Sequence, residues 1–248
     1  MAGNALQRLT KSGDSTADRG ADKPSESGDT KSRILDAAEE LFMEHGFEAT
    51  SLRLITTAAS VNLAAVNYHF GSKEELFQAV LTRRLDPMNR ERMRLLSEYE
   101  QAAGKTPMTC EKIISAMFIP ALQLARDHEQ GGKNFLRLLG RAYADPAPFI
   151  REFLSSQYAE MIVRFRTAFA AALPHIPREE LSWRLHFTMG ALSYTLAGTD
   201  AMKMIELFNP EEEDNDEHVL KRLAPFLAAG LRSPVPAAGD EHQWFVEA

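Results

Sequence analysis

Between Thr50 and Lys73 the chain reads TSLRLITTAASVNLAAVNYHFGSK, a window without a single Asp or Glu in a protein whose formal net charge is -7. The window is stocked instead with Arg53, His69, Lys73, Tyr68, Asn62, Asn67 and several hydroxyls. Carboxylates would repel a phosphate-lined duplex, whereas cations, hydroxyls, amides and helix N-termini bind phosphate oxygens. The spacing predicts a short helix, a tight turn and a second short helix, a helix-turn-helix. The acidic balance elsewhere argues that the rest of the surface faces away from nucleic acid.

The flanking residues extend this outline. Ile34, Ala38, Leu41, Phe42 and His45 recur at helical spacing, with Asp36, Glu39, Glu40 and Glu44 mostly opposite. Gly46 supplies a left-handed stop. Thr50 or Ser51 caps the second helix, and Leu52, Ile55 and Ala59 face inward. Ser60-Val61-Asn62 forms the turn, with Asn62 capping a third helix that ends at Gly71. Ser72 and Glu75 then form a capping box for a long fourth helix.

From about Glu74 to Arg232 the pattern is helical throughout, with breaks expected at Gly104–Pro107, Gly131–Gly132, Asp145–Pro148, Pro174–Pro177 and Asn209–Asp216. Pro120 marks either a kink or a helix start. No strand-like alternation is visible. The expected fold is therefore all-α, an N-terminal three-helix head on a larger helical body. Four segments follow: a disordered arm over 1–30, a helix-turn-helix domain over 31–78, a helical ligand-binding and dimerisation domain over 79–232, and a flexible tail over 233–248. The arm is too polar to offset its ordering entropy. Trp244 and Phe245 in the tail have no evident role.

Several classes are excluded or disfavoured. No apolar run reaches the roughly 18 residues of a membrane span. The N-terminus carries no apolar signal core, so a cytoplasmic location is expected. Cys110 is the sole cysteine and reads as a bystander. No phosphate loop, metal-spaced His/Cys set or nucleophile elbow occurs, so neither an enzyme nor a cofactor is expected. A helical interaction module without DNA affinity stays as an alternative, disfavoured by the carboxylate-free window.

Residues 31 to about 80 resemble the DNA-binding head of the TetR family of one-component bacterial regulators. The resemblance is carried by Ile34-Leu35, Ala38, Leu41-Phe42, Gly46-Phe47, Thr50-Ser51, Ile55, Val61, Tyr68-His69-Phe70, Lys73 and Leu76. It covers about a fifth of the chain. The family's Ile-Ala pair is Ile55-Thr56 here, and Asn67 replaces an aromatic phosphate contact, which passes to Tyr68. The wording from Val61 to Lys73 is similar to a PsrA-like, fatty-acid-responsive subgroup. Trp183-Arg184-x-His186-Phe187-x-x-Gly190-Ala191 and Pro225-Phe226-x-Ala228-Ala229-Gly230 carry a weaker likeness to it.

The resemblance implies a dimeric regulator, most simply a repressor, that binds a double-stranded, pseudo-palindromic DNA operator and is released by a small hydrophobic ligand. A long-chain fatty acid or acyl-CoA is the implied ligand, with a drug or metabolite as the alternative. The helix from Leu63 to Phe70 then enters the major groove, bringing Asn62, Leu63, Ala64 and Asn67 nearest the bases. Asn pairs bidentately with adenine, and Leu and Ala touch thymine methyls. Arg53 reads guanine or holds phosphate. Thr50, Ser51, Tyr68, His69 and Lys73 are the phosphate candidates. Phe118, Leu122, Phe135, Leu138, Phe153 and Phe165 are candidate pocket walls, with Arg141 and His186 as partners for an acyl carboxylate. Leu185, Leu192, Leu196, Leu223, Phe226, Leu227 and Leu231 are the candidate homodimer face, though intramolecular packing needs the same residues.

Overall fold

The structure is a computed structural model that describes residues 26–126, 132–144, 147–196 and 216–235. Helices α1 (Glu26–Ala49), α2 (Leu52–Ala58) and α3 (Leu63–Phe70) form the head. Helix α4 (Lys73–Ala103) leads into α5 (Cys110–Arg126), α6 (Gly132–Ala144), α7 (Pro148–Gln157), α8 (Ala159–Ala172), α9 (Arg178–Leu196) and α10 (Asp216–Arg232). No strand occurs among the described residues, and the fold is all-α. Most of the expected arm, the Asn209–Asp216 break before α10, and Trp244 and Phe245 lie outside the described residues.

Local chemistry fixes the head. Gly46 interrupts α1 at φ 80°, ψ 174°, and turns Phe47 back toward the core. Ser51 caps α2 by accepting from the Leu54 N–H at 3.2 Å. Asn62 Oδ1 caps α3 by accepting from the Ala65 N–H at 2.8 Å. Between them Ser60 takes the left-handed conformation at φ 53°, a place where glycine is the easier residue. Gly71 sits at φ 76°, and a Cβ there would lie 2.0 Å from Glu75 Oε2. That carboxylate is held by the capping box: Glu75 N donates to Ser72 Oγ and Ser72 N to Glu75 Oε2, both at 3.1 Å.

Inside the head, Ile34, Ala38, Phe42, Ile55, Val66 and Phe70 are buried, and the same core continues through Leu76, Phe77, Val80 and Leu81 of α4. Helix α4 runs unbroken past residue 78, so head and body share one rod. In the body α4 and α10 flank α5, and α6 packs on α9. Helix α1 touches α6 as well as α4, which gives the head a second foothold.

The breaks expected near Gly104, Pro148 and Pro174–Pro177 are present, the one at Gly131–Gly132 lies partly outside the described residues, and Pro120 lies inside α5. A further break carries no sequence signal. Tyr158 separates α7 from α8 at φ −112°, ψ 20° without any Gly or Pro nearby. Its buried phenol donates to Asp86 Oδ1 of α4 at 3.1 Å, and burial, then the Asp86 charge, push its pKa up. A tertiary contact thus ends a helix that local propensity would continue.

Candidate nucleic-acid interface

Helix α3 packs Val66 and Phe70 inward and shows the opposite face to solvent. On that face Asn62, Leu63, Ala64, Asn67 and Tyr68 are exposed, Leu63 at 50% and Tyr68 at 82%. Arg53 and Ser51 are exposed on α2 beside it. His69 is half-buried, edge-on to Tyr68 with ring centroids 5.0 Å apart. Lys73 is half-buried too. Its ammonium lies 4.2 Å from the Phe47 ring centroid and 3.5 Å from the Glu48 carbonyl oxygen. An apolar side chain as exposed as Leu63 has no use in the monomer's own packing, and suits contact with a thymine methyl.

Thr50 departs from the expectation. It is fully buried, and its hydroxyl donates to the carbonyls of Gly46 at 2.7 Å and Leu41 at 3.1 Å. The side chain ties the kink of α1 to the start of α2 and is not free to meet a phosphate. Thr56, at the alanine position of the Ile-Ala pair, is also buried and donates its hydroxyl to the Arg53 carbonyl at 2.9 Å.

The body's candidates separate into interior and surface. Phe118, Phe135, Leu138 and Phe165 are buried, while Leu122 and Phe153 are partly buried against the same core. Arg141 is exposed. His186 is exposed as well, with its ring 6.1 Å from Trp183 and 6.0 Å from Phe187. Neither side chain therefore belongs with the buried aromatics.

The expected dimer face needs correction in the same way. Leu192, Leu227 and Leu231 are buried within the protomer, which leaves them nothing to offer a partner. Leu185 and Leu223 are partly buried, Leu196 has no described side chain, and Phe226 alone of the set is strongly exposed, at 70%. The exposed apolar stripe of α9 is instead Trp183, Phe187 and Tyr194, passing over Gly190. These positions are spaced four, three and four residues apart, one helical face. Leu181, Arg184, Thr188 and Leu192 occupy the opposite face and are buried. On α10, Phe226, Ala229 and Gly230 are exposed.

A family model of the bacterial regulatory proteins of the TetR family matches residues 34–80, and one of the tetracyclin repressor-like C-terminal domain matches residues 115–230. Together they span more than half of the chain. The chain belongs to the TetR family. It is 28% identical over 172 residues to the HTH-type transcriptional repressor KstR of Rhodococcus jostii, covering 62% of this chain and 81% of that protein. It is 40% identical over 52 residues to the transcriptional regulator UidR of Escherichia coli, covering 21% of this chain and 26% of UidR. The second match is thus confined to a small part of that relative. Among solved structures, SmeT, the repressor of the Stenotrophomonas maltophilia multidrug efflux pump SmeDEF, aligns with a TM-score of 0.53 at 22% identity, covering 82% of this chain and 90% of that one. PfmR of Thermus thermophilus aligns with a TM-score of 0.52 at 18% identity, covering 81% of this chain and all of that one. These two likenesses speak to the fold. This TetR-family chain is accordingly a DNA-binding transcriptional regulator of that type, and its relatives are regulators, not enzymes. Among the described residues no helix is long and apolar enough to cross a membrane.

Proposed function

We propose that the protein is a cytoplasmic repressor that binds a pseudo-palindromic operator as a homodimer and leaves it when a hydrophobic ligand occupies the body. The observation that carries this reading is the exposed, carboxylate-free face of α3, on which Leu63 and Tyr68 stand open to solvent beside Asn62, Ala64 and Asn67. Asn62, Leu63, Ala64 and Asn67 meet base edges. Ser51, Tyr68, His69 and Lys73 meet phosphates, and Arg53 meets either. Two such heads must be held one helical turn apart to fit a two-fold operator. The Trp183-Phe187-Tyr194 stripe and Phe226 supply the face for a second copy, and Gly190, Ala229 and Gly230 allow its helices to come close.

The ligand class rests on resemblance to a fatty-acid-responsive subgroup and on the many soft aromatics of α5 to α8. A long-chain acyl compound is the leading choice, and another hydrophobic effector is the second. Release requires that the ligand favour a state with misplaced heads, since equal affinity for both states shifts nothing.

The test is fluorescence anisotropy of the full-length protein on its own upstream intergenic DNA, with and without long-chain fatty acids and acyl thioesters. Specific binding weakened by an acyl compound supports the whole reading. Specific binding that no lipid alters keeps the regulator and removes the acyl ligand. If the protein retains no specific sequence, even from a genome-wide DNA selection, the operator reading is lost.

A further inference from the structure

Arg92 is a buried cation that has no counter-charge among the described residues. Only 6% of its surface is exposed. Its Nε donates to the Met117 carbonyl of α5 at 2.9 Å, and Nη1 donates to Asn89 Oδ1 at 3.0 Å. Both acceptors are neutral, and Asn89 is itself 7% exposed. No ion pair joins Arg92 to a carboxylate among the described residues. The contrast with its peers is direct. Arg184, equally buried, pairs with Glu180 at 2.7 Å, and Arg84 pairs with Glu39 at 2.8 Å.

A buried charge without a partner is costly, and neutral dipoles offset only part of that cost. A fold tolerates such a group where something else supplies the opposite charge. The surroundings say what that something must resemble. Met88, Leu95 and Leu96 flank Arg92 on its own helix and are buried, and Phe118 follows Met117 on α5. A free inorganic anion gains nothing from such walls. An amphiphile does: its chain lies among apolar side chains while its head meets the guanidinium, whose planar fork suits a carboxylate or phosphate. Pro120, one turn beyond Met117, removes a backbone donor from α5 at this level and weakens the helix where it faces Arg92.

We propose that Arg92, oriented by Asn89, binds the anionic head of the apolar effector, so that the regulator selects carboxylate- or phosphate-bearing chains over uncharged ones. This rests on the ligand-responsive reading above and names the group within the body that makes it specific.

The experiment compares wild type, Arg92→Met and Arg92→Lys as full chains, by thermal unfolding and by operator release. The probes are palmitate, palmitoyl-CoA and 1-hexadecanol. Wild type is expected to respond to palmitate or palmitoyl-CoA at concentrations at least tenfold below those needed for hexadecanol. The anion that acts distinguishes a carboxylate head from a phosphate one. Arg92→Met removes the charge together with its two hydrogen bonds, and is expected to remain folded and to lose the tenfold preference while still responding to hexadecanol. Arg92→Lys keeps the charge without the fork, and is expected to fall between the two. Equal responses to all three probes in wild type overturn the assignment and leave ligand responsiveness standing. So does an Arg92→Met protein that unfolds several degrees lower yet keeps the preference, which marks Arg92 as a tie between α4 and α5. If Arg92→Met does not fold, an Arg92→Lys protein with the full preference overturns it equally. A wild type that none of the three probes stabilises or releases overturns the acyl-ligand reading and this assignment together.

Discussion

The ring of Phe149 in α7 stands 4.8 Å, centroid to centroid, from that of Phe47 at the end of α1. Phe77 of α4 closes the cluster, 5.1 Å from Phe47 and 6.4 Å from Phe149. The ammonium of Lys73 rests on the other part of this assembly, over Phe47. Body and head therefore meet through aromatic rings beside a phosphate candidate, as well as through the α4 rod. Phe149→Ala is expected to cost about 1–3 kcal/mol, the range for losing a partly buried aromatic and its ring contacts. It should also shrink the ligand-induced change in operator affinity severalfold. Urea unfolding reads the first effect, and anisotropy titrations with and without ligand read the second. An unaltered ligand effect would place the coupling in α4 or in the packing of α1 on α6.

Thr50 and Lys73 allow a paired comparison, because the structure gives them different tasks. Lys73→Ala is expected to make the salt dependence of operator binding shallower, by about 0.9 in log-log slope for each phosphate that the protein no longer neutralises. It should cost only about 0.5–1 kcal/mol of stability, the worth of an exposed cation–π interaction. Thr50→Val leaves two carbonyls without their buried donor. It is expected to cost about 1–3 kcal/mol with the slope unchanged. Operator binding weakened uniformly across sequences, at a temperature where Thr50→Val remains folded, would return Thr50 to the phosphate-binding set.

What the sequence made legible follows from how local each determinant is. Asn62, Gly71 and the Ser72–Glu75 box act within three or four residues, so the helices they delimit can be read directly. The placement of Thr50 depends on how α1 turns at Gly46, and its hydroxyl looks like any other in a phosphate-ready window. The α7–α8 break depends on Tyr158 meeting Asp86, 72 residues away. Helix α9 is apolar on two opposite faces, and leucine content points to the one that the protomer buries. The spacing of Trp183, Phe187, Gly190 and Tyr194 is the signal for the other. Arg92 lies in Arg90-Glu91-Arg92-Met93-Arg94, a run that reads as a solvated helix face until α5 is packed on it.

The outward stripe of α9 can be tested against the inward leucines. Trp183→Asp and Phe226→Asp are expected to leave the protomer folded, since both side chains are exposed. If they form the homodimer face, each shifts sedimentation toward the monomer and weakens operator binding at least tenfold. Leu231→Ala, at a site 1% exposed, is expected to cost about 2–5 kcal/mol of unfolding free energy instead. Aspartate variants that remain dimeric would move the interface elsewhere.

Base reading has its own signature. Asn67→Ala removes an exposed amide from the centre of the α3 face and should leave the fold intact. If Asn67 pairs with adenine, discrimination at one base pair per half-site falls by about 1–3 kcal/mol, with the salt slope unchanged. Competition with singly substituted operators measures this. A uniform loss across all sequences would assign Asn67 to the backbone.

Glu39 holds the head to the rod by charge. It is 2% exposed and accepts from Arg84 Nε at 2.8 Å and from Arg83, which also reaches Asp36 at 2.6 Å. Removing one partner of a buried pair costs about 3–5 kcal/mol, because the other charge is left behind. Here the two arginines keep 25% and 15% of their side chains open to solvent, and water recovers part of that loss. Glu39→Ala is accordingly expected to cost about 2–3 kcal/mol. The loss should appear as earlier unfolding of the head, since Asp36 and Glu39 both lie on α1 and both arginines on α4. Hydrogen exchange of the α2 and α3 amides would show it: faster exchange there than in α5 or α8 is the expected pattern. Equal acceleration throughout would mean that head and body unfold as one unit, and that the packing of α1 on α6 holds them together without this charge.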